Sequence, residues 1–460
     1  MARALSSEVQ EQHVDVFIIG GGVAGAVAAS VAAKRGLRVC LIKNSHGATG
    51  HSSGAFDMVP GGASSNFEPR AALAGSRHWI DAVLARAEQM PSHPYARFRA
   101  SRDLLADALD HYRSLAHSMD YQLRSGGDNQ IVATDLGTLK ECLLAPKSQH
   151  WDLREMPAGA HIAVAGFEGF SGFDPICAAS TLSQLLAVCG KPVRVSAFSV
   201  SLGTTPAGDT PAQVIRAFDQ GEASERLGEE LKKIAGKHET LQVFLLPALL
   251  GVQAHERCMR TISQHVPVPV RELVSSQIPS APGLRLSAAL SGALNKLGVD
   301  VIEGAASLAH EENGSVKAMR VLPLASAQRP GQPGLMCFAK TVVLCTGRFF
   351  AGGMANHANI QEAIFGLPIW ADGVPIDDAS THLFTGEHST DAHALFAAGV
   401  HYDGHWRALD RFGNARARNL FVAGSLLHGY DPSMSGTAMG VAAMTGYAAG
   451  LSASTYAGAP

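Results

Sequence analysis

The first ordered pattern in the chain is a β-branched and aromatic run, Val14-Asp15-Val16-Phe17-Ile18-Ile19, cut off by Gly20-Gly21-Gly22. From Val23 to Arg35 the residues are Ala-rich and suit a helix that Gly36 stops. Arg38-Val39-Cys40-Leu41-Ile42 then reads as a second buried strand. Strand, glycine turn, helix and strand within about 30 residues predict a βαβ unit in a parallel sheet covered on both faces. A Ser- and Gly-rich loop follows over 47–65, and the middle of the chain alternates amphipathic segments such as 101–117 with short strands at 161–165 and 192–200. Residues 222–251 read as helix and then strand. Near Pro282 the earlier pattern returns: a helix over 283–297 ended by Gly298, a strand at 299–302, and two strand-like runs at 306–308 and 316–321 around the turn Glu312-Asn313-Gly314. A buried strand follows at 341–347. After a variable region to 415 come a last strand at 419–425 and a small-residue helix over 435–451.

The strands at 342–347 and 420–425 have the character of the N-terminal βαβ sheet despite their distance along the chain. The expectation is therefore an α/β fold: a discontinuous dinucleotide (flavin)-binding Rossmann-like domain with a large inserted α/β domain. The flavin-binding domain takes 13–65, 281–347 and 415–455, the insertion 66–280, and a second cap segment 348–414. A length of 460 residues agrees with two or three domains. Composition narrows the class further. With 46% hydrophobic and 17% charged residues the chain can build cores and is not globally disordered. A net charge of -3 gives no basic excess for nucleic acid. The seven cysteines show no C-x-x-C pair, so neither zinc nor a cysteine-held iron–sulfur cluster is signalled. Free thiols and a polar N-terminus over 1–13 point to a cytoplasmic protein. The stretch 241–252 is too short to span a bilayer and contains Pro247.

Gly20-x-Gly22-x-x-Gly25 sits between strand and helix, where a dinucleotide fingerprint must sit. Gly20 permits the turn, Gly22 lets a pyrophosphate approach the backbone, and Gly25 lets helix pack on sheet, with the helix N-terminus offering N–H groups to the phosphates. The acid expected about 20 residues on, for the ribose, is replaced by Lys43-Asn44. Lys43 cannot accept a hydrogen bond, so either other groups hold an adenosine or the cofactor lacks one. At the far end, Cys345-Thr346-Gly347 closes one strand and Ala423-Gly424-Ser425 the other, in the manner of the strands that seat a flavin ribityl chain and pyrophosphate. Ser425 stands where Asp is usual. A helix beginning near Gly436 would point its N-terminus at the flavin edge where reduction develops negative charge.

Taken end to end, the chain resembles the B subunit of anaerobic glycerol-3-phosphate dehydrogenase. The resemblance rests on Gly20–Gly25, Ser52-Ser53-Gly54-Ala55-Phe56-Asp57, His93-Pro94-Tyr95, Leu136-Gly137-Thr138, Thr346 through Gly353, Phe365-Gly366-Leu367, and Ala423 through Pro432, in family order. It implies a flavoprotein working with two partners, a sister flavoprotein (the A subunit) and an iron–sulfur, membrane-associated C subunit. Such a complex oxidises sn-glycerol 3-phosphate to dihydroxyacetone phosphate and passes electrons to quinone from the inner membrane face. The family is described as carrying FMN, which the missing acid near Lys43 fits, whereas the Gly20–Gly25 turn argues for FAD. The resemblance also places Ser52, Ser53 and Asp57 at the polar edge of the flavin ring; spacing alone reads them as a solvated Ser/Gly loop.

On the substrate side, a phosphate needs Arg or Lys and a hydroxyl proton needs a base. Arg348, beside Thr346-Gly347, and Arg285 are the candidate phosphate ligands. His51 and His428 adjoin flavin motifs, but with 20 histidines in the chain neither is singled out as the base. Two other readings stay open: a fumarate-reductase-like flavin oxidoreductase acting on another small anion, and a non-catalytic protein that holds flavin for assembly.

Overall fold

The computed structural model describes residues 10–60, 78–125, 127–203, 210–275, 277–324, 334–356, 360–371, 373–376, 384–388, 391, 393–432 and 434–459. The end of the loop expected over 47–65 and the start of the insertion at 66 lie outside them. The chain divides into two units. The first comprises Met1–Ala48, Val83–Asp120 and Ser287–Pro460, the second Thr49–Ala82 and Tyr121–Leu286.

In the first unit the N-terminal pattern folds as read: β1 (Gln10–Ile19), α1 (Val23–Lys34) and β2 (Val39–Lys43) form a parallel βαβ unit. Helix α2 (Arg102–His117) and helix α3 (Ala281–Lys296, its residues falling on both sides of the division) come next in the chain. They are followed by β3 (Asp300–Glu312), β4 (Ser315–Pro323), β5 (Leu335–Leu344), β6 (Leu420–Val422) and α4 (Ala438–Tyr456). Strand β1 pairs in parallel with both β2 and β5; β2 also pairs with β3, and β5 with β6. Strand order thus reverses at β1, the position where open α/β sheets bind ligands beyond their carboxyl ends.

The register is what gathers the distant pieces. Ile42 lies opposite Ile19, Ile19 opposite Leu344, and Leu344 opposite Val422, so four strands end on one line. Toward that line the strands are β-branched and Leu-rich and buried, over Val16–Ile19, Val39–Ile42, Val342–Leu344 and Leu420–Val422, as a sheet covered on both faces requires. Helix α4 comes close enough to α1 that a methyl group at Gly446 or Gly450 would meet the backbone of Ala24 or Ala28. Small residues therefore set the distance between the two helices.

Three sequence readings are refined. The runs at 299–302 and 306–308 are one strand, β3, bent by register shifts near Leu308 and His310. The last helix starts at Ala438 because Gly436 holds a φ of 60° and cannot join it. Residues 83–120 fall with the first unit rather than with 121–286. The physical reason is α2, which buries Leu105, Ala108, Leu109, Tyr112, Leu115 and Ala116 along one stripe. It is tied to α1 by His111 Nε2 and Ser30 Oγ at 2.7 Å, and its His111 ring meets Tyr447 of α4 edge-on at 5.2 Å. Residues 348–414 likewise count with the first unit and 49–60 with the second.

The second unit is α/β as expected. Strands Val270–Glu272, Leu241–Leu246, His161–Phe167 and Arg194–Val200 form, in that order, a wholly parallel sheet. Helices Pro175–Val188, Pro211–Gln220, Glu222–Ala235 and His255–His265 supply Leu182, Leu186, Phe218, Leu227, Leu231 and Ile262 to its core.

Candidate functional site

The carboxyl edge of the first unit's sheet carries the Gly-rich turn. At Gly20, φ is 115° and a methyl group would strike the Cys345 carbonyl, so only glycine lets β1 turn beside β5. Gly25 is equally constrained, since a side chain there would strike the Gly20 carbonyl and push α1 off the turn. Gly22 is the N-cap of α1 and has no side chain with which to cap it. The start of α1 thus has no side-chain cap, the kind of helix end at which phosphate sites are built. Lys43 lies across the turn, its Cβ and Cδ within 3 Å of where a Gly21 methyl would stand. Its Nζ contacts Ser291 Oγ at 3.2 Å and Glu303 at 3.5 Å. Glu303 is the register neighbour of Lys43 on β3, so the edge does hold a carboxylate, one strand away from its usual place.

Beyond β5 and β6 the remaining first-unit predictions assemble. Thr346, Gly347 and Arg348 follow β5; Gly424 and Ser425 follow β6; Gly436 precedes α4. Gly424 packs against α1, where a methyl group would stand 2.8 Å from the Ala24 Cβ. The Thr346 hydroxyl oxygen is sealed from solvent without a hydrogen-bond partner. Arg348 is 8% exposed. Its Nε donates to the Ser425 carbonyl at 2.5 Å, and its Nη2 to the carbonyls of Leu427 and Tyr430 at 2.9 and 2.8 Å. Its Nη1 is buried and bonded to nothing, and among the described residues no carboxylate pairs with it. Burial pulls its pKa down, against the pull of Tyr430 and Asp431; a guanidinium stays charged regardless.

Next to this arginine lies a cluster that spacing could not reveal. Val400 bridges Leu427, which brings His401 and His428 together with ring centroids 4.0 Å apart. Trp370 stacks on His401 at 4.1 Å. Trp370 Nε1, His401 Nε2 and the Tyr430 hydroxyl are all buried without a partner. Burial lowers the His401 pKa to about 4. Burial, and then repulsion from a protonated His401 and from Arg348 and Arg97, lower that of His428 to about 3. Both imidazoles are neutral at pH 7 and able to take a proton. No motif signalled them; the one available hint was that His428 directly follows the Gly424 turn.

The other predicted residues lie in the second unit. Ser52 Oγ donates to the Thr49 carbonyl at 2.8 Å, the Ser53 carbonyl accepts from Gln149 Nε2 at 3.0 Å, and Asp57 pairs with Lys140 at 2.9 Å. Burial raises the Asp57 pKa, with Lys140 opposing. Arg285 makes a bidentate pair with Glu272, at 2.6 and 2.9 Å, and donates through Nε to the Gly251 carbonyl at 2.7 Å. His51 is also in this unit.

The residues present at the first unit's sheet edge fit a flavin nucleotide: an uncapped helix start for phosphate, glycine where chain and cofactor must come close, and an orphaned hydroxyl at Thr346. The sequence pattern described as FAD binding domain matches residues 15–441. The chain belongs to the FAD binding domain family. Over nearly its whole length this family member is also similar to proteins named as the B subunit of anaerobic glycerol-3-phosphate dehydrogenase, the resemblance its motifs carried. One, from Aliivibrio fischeri, is 26% identical over 457 residues, 95% of this chain and 94% of its own. Another, from Yersinia enterocolitica, is 28% identical over 433 residues, 93% and 95% of the two chains. A solved flavocytochrome c3 fumarate reductase in its open conformation matches 97% of this FAD binding domain protein and 79% of its own chain, at a TM-score of 0.43 and 12% identity. Among the described residues no helix is long and apolar enough to cross a membrane.

Proposed function

We propose that this chain is the flavoprotein subunit of a quinone-linked glycerol-3-phosphate dehydrogenase, holding FAD without a covalent bond and oxidising sn-glycerol 3-phosphate to dihydroxyacetone phosphate. It works with a sister flavoprotein and with an iron–sulfur partner that anchors the complex at the membrane. The names of its near-full-length relatives support the substrate class. The observation that carries the reading is the unspent Nη1 of Arg348, a buried cation beside the flavin-side turns with a free N–H for an anion. Gly22 and the start of α1 hold the pyrophosphate, and Glu303 at the neighbouring strand end serves the ribose in place of the acid that Lys43 displaces. That assignment favours FAD over FMN. Thr346, Gly347, Gly424, Ser425 and Gly436 line the ribityl and ring side, and the family resemblance assigns Ser52, Ser53 and Asp57 to the ring's polar edge.

When bound, the flavin supplies the acceptor for the hydride leaving the substrate carbon. The protein binds the phosphate through Arg348, and the neutral His401–His428 pair beside it is the candidate acceptor for the hydroxyl proton. Arg285, already bound to Glu272, is the weaker candidate for the phosphate.

Acid release of the cofactor followed by mass identification tests the first part. FAD is expected, FMN overturns the FAD assignment, and colourless protein that takes up neither overturns the whole reading. With the partner proteins present, sn-glycerol 3-phosphate should bleach the flavin. Bleaching by another small anion, with glycerol 3-phosphate inert, would favour the fumarate-reductase-like alternative. A complex whose turnover survives loss of Arg348 while its assembly needs this chain would reduce the chain's role to holding flavin.

A further inference from the structure

His93-Pro94-Tyr95 belongs to no strand of the cradle, yet it reaches the last helix. His93 is the N-cap of the short 3-10 helix Pro94–Phe98, its Nδ1 accepting from the Tyr95 amide at 3.1 Å. An amide can only donate, so Nδ1 carries no proton. The ring is 1% exposed, and burial, aided by Arg86, keeps it neutral with a pKa near 3. Its one N–H is therefore on Nε2, 3.3 Å from Thr437 Oγ1, which must accept. A 2.7 Å contact with Ser435 Oγ is a second bond that holds the hydroxyl in this direction.

Thr437 is the N-cap of α4, and threonine is a residue that ordinarily closes that position by accepting from the first turn. Here its side chain makes no capping bond: the hydroxyl is directed to His93 and Ser435 instead. The contact extends along the loop leading into the helix. A methyl group at Gly429 would strike the Ser92 carbonyl, and the His93 ring lies 5.3 Å from that of Tyr430, whose hydroxyl is buried and unpartnered. At α1 the cap residue is glycine and has no side chain to close it; at α4 it is a threonine whose hydroxyl is directed elsewhere.

We propose that His93 is a positioning residue of the flavin site: by engaging the Thr437 hydroxyl it keeps the first turn of α4 uncapped, its N–H groups available to the electron-accepting edge of a bound flavin. The inference rests on the flavin reading above. An uncapped helix start favours negative charge, so the reduced cofactor gains more than the oxidised one.

The test is flavin titration of the purified chain, together with the midpoint potential of the bound flavin. In H93A the freed hydroxyl turns back to cap α4, and flavin affinity should fall about tenfold with a more negative potential. In H93A/T437V no hydroxyl is left to cap, and affinity should recover to within about threefold of wild type. A merely structural histidine gives no recovery, and that result, or unchanged binding in H93A, overturns the proposal. If H93A does not fold, H93L and H93Q decide it. Gln keeps a donor for Thr437 and should bind like wild type while Leu loses about tenfold; equal losses overturn the proposal. Wild-type protein that binds neither FAD nor FMN would instead bring down the flavin reading itself, a distinguishable failure.

Discussion

Two buried arginines carry the same formal charge and have opposite surroundings. Arg285, 7% exposed, spends its fork on Glu272, its Nε on a carbonyl, and lies 3.5 Å from His255. Arg348, 8% exposed, meets three carbonyl oxygens and keeps one nitrogen unbonded. The first is a neutral pair; the second is a cation balanced by backbone dipoles and the face of the Tyr430 ring, with Asp431 felt at longer range. A buried charge without a counter-ion is expensive, so it persists where something binds it. The comparison separates an arginine whose fork is already spent on a carboxylate from one with a nitrogen unspent, although both read from the sequence as candidate phosphate ligands.

The strongest way to break this contrast is to remove the carboxylate. Glu272→Gln leaves Arg285 charged and unpaired, and should cost about 3–5 kcal/mol of stability, read by urea unfolding. The double change E272L/R285M should recover most of that loss. A single-variant cost below about 1 kcal/mol would mean that Arg285 is not fixed by its partner and is free for another role.

Acid exposes the same pair. Burial pushes the Glu272 pKa up, but the charges of Arg285 and His255 and the bonds from Arg285 and Leu250 outweigh it and leave it near 2, below the ordinary value of 4.5. The native state therefore binds fewer protons there, and the stability this group contributes is full above pH 4.5 and lost as pH falls toward 2. Integrated over that window the loss is on the order of 3 kcal/mol. His255 behaves alike at higher pH: burial and Arg285 lower it from 6.5 to about 4, so its share is lost between those values. Urea midpoints measured from pH 7 to pH 3 should show both steps in the wild type and only the upper one in E272Q.

Arg348 sharpens the contrast from the other side. Arg348→Lys keeps the charge but loses the fork. Protection against thermal unfolding by sn-glycerol 3-phosphate should weaken about tenfold to a hundredfold in effective affinity, roughly 1.4–2.8 kcal/mol. Arg285→Lys should destabilise the protein without changing that protection. Equal effects at the two positions would dissolve the distinction.

Much of the fold could be read from the residues, for definite reasons. The turn at Gly20–Gly25 announces itself because only glycine tolerates φ near 115° and the close carbonyl of Cys345. The stretches Val342–Leu344 and Leu420–Val422 are apolar and buried, which marks the ends of buried parallel strands wherever they fall in the chain. What stayed hidden was partnership. The stripe on α2 says that a face is buried without saying against what, so 83–120 read as part of the insertion. Nothing near Arg285 says that Glu272 will meet it, and nothing near His428 says that His401 will. The diverted cap at Thr437 is further from view, since threonine before a helix ordinarily means the opposite. Pattern reports burial; tertiary contact decides which polar group is already spent.

The smallest effect is the most discriminating. Tyr430 is 1% exposed, and its hydroxyl is buried without a partner beneath Arg348, whose guanidinium carbon lies 5.2 Å from the ring centroid. Burial raises its pKa to about 12, so it stays protonated and able to donate at any pH the protein tolerates. An unmade buried hydrogen bond costs stability, and removing the polar atom should relieve that cost. Tyr430→Phe should therefore leave ligand-free stability unchanged or raise it by up to about 1 kcal/mol in urea unfolding. If the hydroxyl and the Arg348 Nη1 serve the same anion, the same variant should weaken phosphate-ester protection about threefold to tenfold. A hydroxyl that is only a packing flaw predicts the gain in stability without the loss in protection. A hydroxyl bonded within the fold predicts a loss of stability, and that result would remove Tyr430 from the site.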